Sequence, residues 1–295
     1  MFIEGGPPGA GADFFKAHGL GNDYLVFEEG HDWVLTPRAI RHVCDRWRGV
    51  GSDGIVLLLE SGAGEARRLR MFNPDGSEFE RSGNGLRVAA AFLARRGRVG
   101  GDPFRVHVGG DEVELTVHTR SGPVYDVSVA MGRAVVGPRA VGMGPSFLDA
   151  RGRCAGPDGE ELDIVPVSVG NPHLVVLGQT LSEAALLRLG PFLSAHPAVA
   201  RGANVQLATV EGPGVCRALI WERGVGRTSA SGTSSCAVAV AMVHRGLQLP
   251  GTIIVRQEGG ELSVVVGTEG SVLLRGPVEE VMEGRLSGVS LGNGG

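Results

Sequence analysis

Residues 82–97 read Ser-Gly-Asn-Gly-Leu-Arg-Val-Ala-Ala-Ala-Phe-Leu-Ala-Arg-Arg-Gly, and residues 231–246 read Ser-Gly-Thr-Ser-Ser-Cys-Ala-Val-Ala-Val-Ala-Met-Val-His-Arg-Gly. Both open on Ser-Gly, run through an apolar segment of helical length and close on Arg-Gly. The two serines stand 149 residues apart, as do the two closing glycines. The same offset carries Gly21-Asn22 onto Gly170-Asn171, Leu25-Val26 onto Leu174-Val175, and Phe72-Asn73 onto Trp221-Glu222. It also lays residues 55–58 on 204–207, with no gap required. A solenoid would repeat every ~20–50 residues. An offset this long predicts two homologous domains, with a pseudo-two-fold axis bringing the two motifs together.

Around that repeat the composition is globular, with 42% hydrophobic and 20% charged residues in a chain of 295. Glycine is abundant at 49 residues, roughly one in six against a usual ~7%. The formal charge of −4 offers no basic surface, and no Lys/Arg stripe with interleaved aromatics is present, so nucleic acid is not an expected partner. No charge-free apolar run reaches ~18 residues, so no membrane span is expected. Residues 1–13 are rich in Gly and Pro, lack a repeat counterpart and lack signal-peptide features; they read as a disordered extension. Cys44, Cys154, Cys216 and Cys236 show no Cys-x-x-Cys spacing and are expected to be reduced thiols of a cytoplasmic protein.

Between the motifs the pattern alternates short strands with a few helices. Strands are expected at 14–16, 24–27, 55–59, 68–72, 104–108, 112–118 and 124–130, with a helix at 37–48 whose Ile40, Val43, Cys44 and Trp47 share one face. Gly49-Val50-Gly51-Ser52-Asp53-Gly54 fits the dinucleotide pattern G-x-G-x-x-G, but it follows a helix and precedes a strand, the reverse of a Rossmann turn. The second half repeats the plan, with strands near 164–168 and 173–177, a helix at 182–193, strands at 204–210 and 215–221, and closing strands to 275. A last piece, 278–285, is placed to return to the first domain. The predicted fold is α+β: two similar domains, each a curved, mostly antiparallel sheet or barrel around a central buried helix. The expected boundaries are 14–128 plus 277–287 for one domain and 129–276 for the other.

Both buried helices open on small residues. Their first-turn N–H groups lack intrahelical partners, and the helix dipole adds positive charge there, so a carboxylate fits. Plain N-capping is the competing reading of Ser82 and Ser231. Asn22, Asn171, Asn73, Glu222, Asn204, His173 and Arg223 fall on strand ends and loops around these helix starts.

The stretches His18-Gly19-Leu20-Gly21-Asn22-Asp23, Phe72-Asn73-Pro74-Asp75-Gly76-Ser77, Ser82-Gly83-Asn84-Gly85, Gly170-Asn171-Pro172-His173 and Trp221-Glu222-Arg223-Gly224-Val225-Gly226 resemble the diaminopimelate epimerase family in sequence and order, over about residues 14–287. The resemblance implies a cytoplasmic isomerase, a homodimer, that interconverts LL- and meso-diaminopimelate in lysine biosynthesis with neither pyridoxal phosphate nor metal. It implies that Asn22, Asn73, Asn171, Asn204 and Arg223 bind the amino-acid substrate. The backbone amides of Gly83-Asn84 and Gly232-Thr233 would hold the α-carboxylate, and His173 and Glu222 would sit beside the proton-transfer groups. The chain departs from the family at one pair of positions. Where the family has two catalytic cysteines, this sequence has Ser82 and Ser231. A thiol titrates near ~8.5, whereas a serine hydroxyl needs an adjacent base. His173 or Glu222 is a candidate base for Ser231, and Glu80 a weaker one for Ser82. Three readings stay open: a two-serine epimerase, a related racemase or isomerase that uses His173 and Glu222, and a silent binding homologue.

Overall fold

The computed structural model describes residues 7–60, 67–144 and 146–288. It divides into two compact units, Met1–Val129 with Pro277–Gly295, and Ala130–Gly276. In the first, β1 (Gly9–Gly19), β2 (Asn22–Glu29) and β3 (Trp33–Val34) precede α1 (Pro37–Cys44). Strands β4 (Ile55–Leu59), β5 (Arg67–Phe72) and β6 (Glu78–Phe79) lead into α2 (Gly83–Arg95), and β7 (Phe104–Val108), β8 (Asp111–Ser121) and β9 (Val124–Arg133) follow. The second unit runs through β10 (Val135–Val136), β11 (Arg153–Ala155), β12 (Glu161–Ser168), β13 (Pro172–Leu177) and α3 (Glu183–Ser194). It continues with β14 (Asn204–Gly212), β15 (Val215–Glu222), β16 (Gly226–Thr228), α4 (Gly232–His244), β17 (Gly251–Gln257) and β18 (Gly260–Val266), and β19 (Ser271–Arg285) begins in this unit and passes into the first at Pro277.

The fold is α+β, and both units share one plan. A short outer helix, α1 or α3, covers one face of the sheet, while a longer apolar helix, α2 or α4, lies inside its curve. Strand alternation decides which residues go where. Leu25, Phe27, Ile55 and Leu57 pack with Ile40 and Val43 of α1. Their neighbours Val26 and Val56, fully buried, fall on the opposite face, where α2 contacts β2 and β4. In the second unit Leu174, Val176, Val205 and Leu207 pack with Leu186, Leu189 and Leu193 of α3. Helix α4 touches β12, β13, β14, β15, β17 and β18, so that sheet wraps it.

The closing Arg-Gly of each repeated stretch also has a physical reason. Gly97 and Gly246 have φ of 65° and 68°, left-handed values that most residues resist. Gly97 N–H donates to Ala94 O and Arg98 N–H to Leu93 O; Gly246 N–H donates to Val243 O and Leu247 N–H to Met242 O. Both helices thus end in the same glycine-dependent cap.

Three expectations need correction. Residues 9–13 are not part of a disordered extension: they begin β1, with Gly9 opposite Val34, Ala10 opposite Trp33 and Asp13 opposite Arg285. Alternating small residues let this stretch lie against β3, and Ala10 and Ala12 are buried; residues 1–6 lie outside the described residues. Helix α1 stops at Cys44, because Asp45 Oδ1 accepts the N–H groups of Trp47 and Arg48 and turns the chain. Trp47 is accordingly 96% exposed. The third correction concerns the repeat itself. Ile55 lies opposite Phe72 and Leu25, whereas the residue opposite Trp221 and Leu174 is Val205, not Asn204. Strand β14 is therefore shifted by one residue against the uniform offset. That shift keeps Val205 and Leu207 on the α3 face; a one-residue slip would turn every side chain over.

Candidate active site

Each unit presents a serine-capped helix start. Ser82 is extended (φ −128°, ψ 129°), and its Oγ accepts the N–H of Gly85 at 3.1 Å. Ser231 has nearly the same backbone (φ −149°, ψ 128°), with the N–H of Ser234 at 3.5 Å from its Oγ. The serines satisfy one first-turn amide each. Among the described residues no acceptor engages the amides of Gly83 and Asn84, nor those of Gly232 and Thr233.

In the first unit a hydrogen-bonded row holds the helix start to the strand ends. Arg87 Nη2 donates to Asn84 Oδ1 at 2.5 Å, Asn84 Nδ2 to Asn22 Oδ1 at 2.8 Å, and Asn22 Nδ2 to Asp53 Oδ2 at 3.1 Å. Arg87 is fully buried, and a Cβ on Gly19 would stand 2.6 Å from its Nη2. A side chain at this position would have to push the Arg87 guanidinium aside. The row ends in an ion cluster, with Arg46 Nη2 at 2.7 Å from both Asp23 and Asp53 and Lys16 Nζ at 3.0 Å from Asp23. Burial works against the Asp23 carboxylate, but hydrogen bonds from Arg46 and Lys16 outweigh it and hold its pKa below the usual carboxylate range. Burial, with the Asp23 charge alongside, pushes Asp53 the other way.

The second unit builds its counterpart from neutral groups. Asn171 Nδ2 reaches Thr233 Oγ1 at 3.5 Å, the same sequence separation as the Asn22–Asn84 bond. His173 Nε2 donates to Asn171 Oδ1 at 2.8 Å, and Gln206 Nε2 donates to His173 Nδ1 at 3.1 Å and to Ser234 Oγ at 3.0 Å. Burial drives the His173 pKa down to about 3, with Arg223 a lesser cause acting in the same direction. The ring is neutral at physiological pH and carries its proton on Nε2. The Ser231 N–H donates to Gln257 Oε1 at 2.7 Å, and Gln257 Nε2 donates to Ser235 Oγ at 2.7 Å.

Residues 14–137 and 165–284 match the sequence profile of the family described as diaminopimelate epimerase. The chain is 40% identical over 283 residues to the diaminopimelate epimerase of Desulforudis audaxviator, covering 92% of this chain and 98% of that protein. The chain belongs to the diaminopimelate epimerase family. The diaminopimelate epimerase of Geobacillus thermodenitrificans is 34% identical over 276 residues, covering 92% of this chain and 95% of its own. Among solved structures, a hydroxyproline epimerase from Agrobacterium vitis superposes with a TM-score of 0.67 at 18% identity, covering 93% of this chain and 92% of that one. At that identity the likeness is one of fold.

Against the family's site, the structure places the expected residues in two groups. Asn22, Gly83, Asn84 and Ser82 gather at the start of α2; Asn171, His173, Gly232, Thr233 and Ser231 gather at the start of α4. Asn204 is buried and committed to backbone, with Nδ2 on Pro172 O at 3.2 Å and Oδ1 accepting the N–H of Arg223 at 2.9 Å. Arg223 is exposed and donates through Nη1 to Arg201 O. Asn73 sits in a turn and donates to Ser77 Oγ at 2.9 Å. Glu222 ends β15, opposite Gly226. His173 does not act on Ser231 as a base in this geometry: both ring nitrogens are taken by side-chain amides, and neither bonds Ser231.

Four residues bonded around the two helix starts escape sequence reasoning: Tyr24, Asp53, Gln206 and Gln257. Tyr24 O–H donates to Ser82 Oγ at 3.0 Å. A signal for it exists, since Tyr24 and His173 are separated by the repeat offset and both put a polar-tipped ring on the strand face that meets the central helix. The described thiols do not replace the serines. Burial pushes Cys44, Cys154 and Cys216 up to about 11, and Cys236 is fully buried inside α4. Among the described residues no cluster of His, Cys, Asp or Glu is placed to hold a metal. No described helix is long and apolar enough to cross a membrane.

Proposed function

We propose that this chain inverts the α-carbon of diaminopimelate, interconverting the LL and meso forms, with Ser82 and Ser231 as its two acid/base positions, one from each unit. One observation carries the reading: the same serine-capped helix start, followed by two amides with no acceptor among the described residues, occurs in both units. The amides of Gly83 and Asn84, and of Gly232 and Thr233, suit the α-carboxylate, which a helix N-terminus favours. Asn22 and Asn171, each oriented by a hydrogen bond to the helix start, are the best-prepared binding side chains. Asn73 and Arg223 complete the binding set, Glu222 stands as the candidate base for Ser231, and Asn204 contributes by fixing the backbone N–H of Arg223. His173 binds by proxy, holding the Asn171 amide in one orientation. The family resemblance further supports a cytoplasmic homodimer working on an amino-acid substrate.

The test is α-proton exchange in D₂O, followed by NMR, with LL- and meso-diaminopimelate and a panel of other amino acids. Deuterium entering the α-position with interconversion of the two isomers is the expected result. Exchange confined to another amino acid would reassign the substrate, and binding without any exchange would sink the enzymatic reading.

A further inference from the structure

We propose that the Tyr24 phenol is the proton partner of Ser82, the positioning residue through which this serine gives up and regains its proton. The inference rests on the reading of Ser82 as one of the two acid/base positions. A serine hydroxyl needs a neighbour to exchange protons at a useful rate, and the neighbour that the sequence offered, Glu80, is not bonded to it. The structure supplies a different group. Tyr24 O–H donates to Ser82 Oγ at 3.0 Å, and the N–H of Gly85 donates to the same oxygen at 3.1 Å. Both bonds end on Oγ lone pairs, and nothing among the described residues accepts the hydrogen of Ser82 itself. Of the two hydroxyl hydrogens at the cap, that one is left to be given away.

The chain of donation therefore runs from Tyr24 to Ser82 to substrate. As the Ser82 O–H bond breaks and a Cα–H bond forms, the Tyr24 O–H bond breaks and a new Oγ–H bond forms. The negative charge moves from the α-carbanion to the Tyr24 oxygen. In the opposite direction the phenolate takes the Ser82 proton as Oγ takes the α-proton, so atoms and charge balance both ways. While charge sits on Oγ, the Gly85 N–H and the start of α2 face it, where the helix dipole stabilises an anion.

The ring is held in place for this. Tyr24 is buried on β2, and a Cβ on Gly54 would stand 2.6 Å from its Cε1, so glycine there makes room for the ring edge. The second unit lacks the arrangement. His173, at the corresponding strand position, bonds Asn171 and Gln206, and no described side chain donates to Ser231 Oγ. The two serines are unequal, and the unit bearing Tyr24 has a proton store beside its serine.

The experiment measures kcat, KM and α-deuterium exchange on both diaminopimelate isomers for the full chain and for Tyr24→Phe, Ser82→Cys and the double variant. Tyr24→Phe should lower kcat on the order of 100-fold, within the range for a lost acid/base partner, and leave KM within about threefold. A thiol ionises near ~8.5 unaided, so Tyr24→Phe should cost the Ser82→Cys background little, about threefold or less. Two results would overturn the assignment: a kcat for Tyr24→Phe within about threefold of the parent, or an equal loss in the serine and cysteine backgrounds, which marks a packing role. Absence of exchange in the unsubstituted chain would instead overturn the proposed function, and this inference with it.

Discussion

His173 shows how burial sets what a single side chain is able to do. With no solvent contact to support its charged form, the ring's pKa falls to about 3 from an unfolded value near ~6.5. The folded state therefore binds no proton at this ring across a pH range in which the unfolded chain does. The contribution to stability is complete above pH ~6.5 and is lost as the pH falls toward 3, at up to ~1.4 kcal/mol per pH unit. By pH 4.5 the loss is about 2–3 kcal/mol. Urea denaturation between pH 7 and 4.5 checks this: His173→Gln should flatten the slope over that window, and an unchanged slope would refute the assignment of the pH dependence to this ring. Neutral and enclosed, His173 orients Asn171, and it should leave no inflection in the kcat profile between pH 6 and 7.

The two central helices carry capping and chemistry on one atom. Ser82 Oγ satisfies the Gly85 amide, so Ser82→Ala should cost roughly 1 kcal/mol of stability on top of any loss of activity. Asn caps as well as Ser does, so Ser82→Asn should restore the melting temperature of the parent while activity stays lost. Recovery of both together would mean that the position only caps. These helices were legible beforehand because their apolar runs, small openings and closing glycines are local signals. The register of β14 was not. Residues 55–58 read Ile-Val-Leu-Leu and are buried on both faces, so no polar alternation marks which residue points where. The uniform offset hides a one-residue shift that only the pairing partners Phe72 and Trp221 expose. The end of α1 was missed for a similar reason: apolar periodicity continued to Trp47, while a single Asp45 side chain stopped the helix. In the site, the serines and paired asparagines were legible through duplication. Tyr24, Asp53, Gln206 and Gln257 were not, because each acts on a residue more than twenty positions away that only folding brings near.

The first unit is discontinuous in sequence, and that has a consequence for how the chain holds together. Strand β1 pairs with β2 on one side and with the far end of β19 on the other, Phe15 opposite Glu283 and Lys16 opposite Met282. From β19 and the residue after it, Val278 is fully buried and Leu286 joins the cluster of Phe14, Phe27 and Trp33. Glu280 accepts the Tyr125 hydroxyl at 3.1 Å and lies 3.3 Å from Arg95 at the end of α2. The second unit keeps its strands β12–β18 without this stretch, and β19 serves it only through residues up to Arg275, opposite Ser263. Ending the chain after Gly276 should thus strip β1 of one partner, open a strand edge and uncover apolar surface in the first unit alone. Hydrogen exchange by mass spectrometry should find peptides from β1, β2 and α2 losing protection while those from β13, β14 and α4 keep it. Loss of protection throughout would mean that the second unit also depends on the returning strand, and unchanged protection in β1 would mean that its pairing with β19 carries no stability. With Tyr24 and Asn22 both on β2, the expected outcome also includes loss of α-proton exchange, since the truncation removes the frame that holds them against the start of α2.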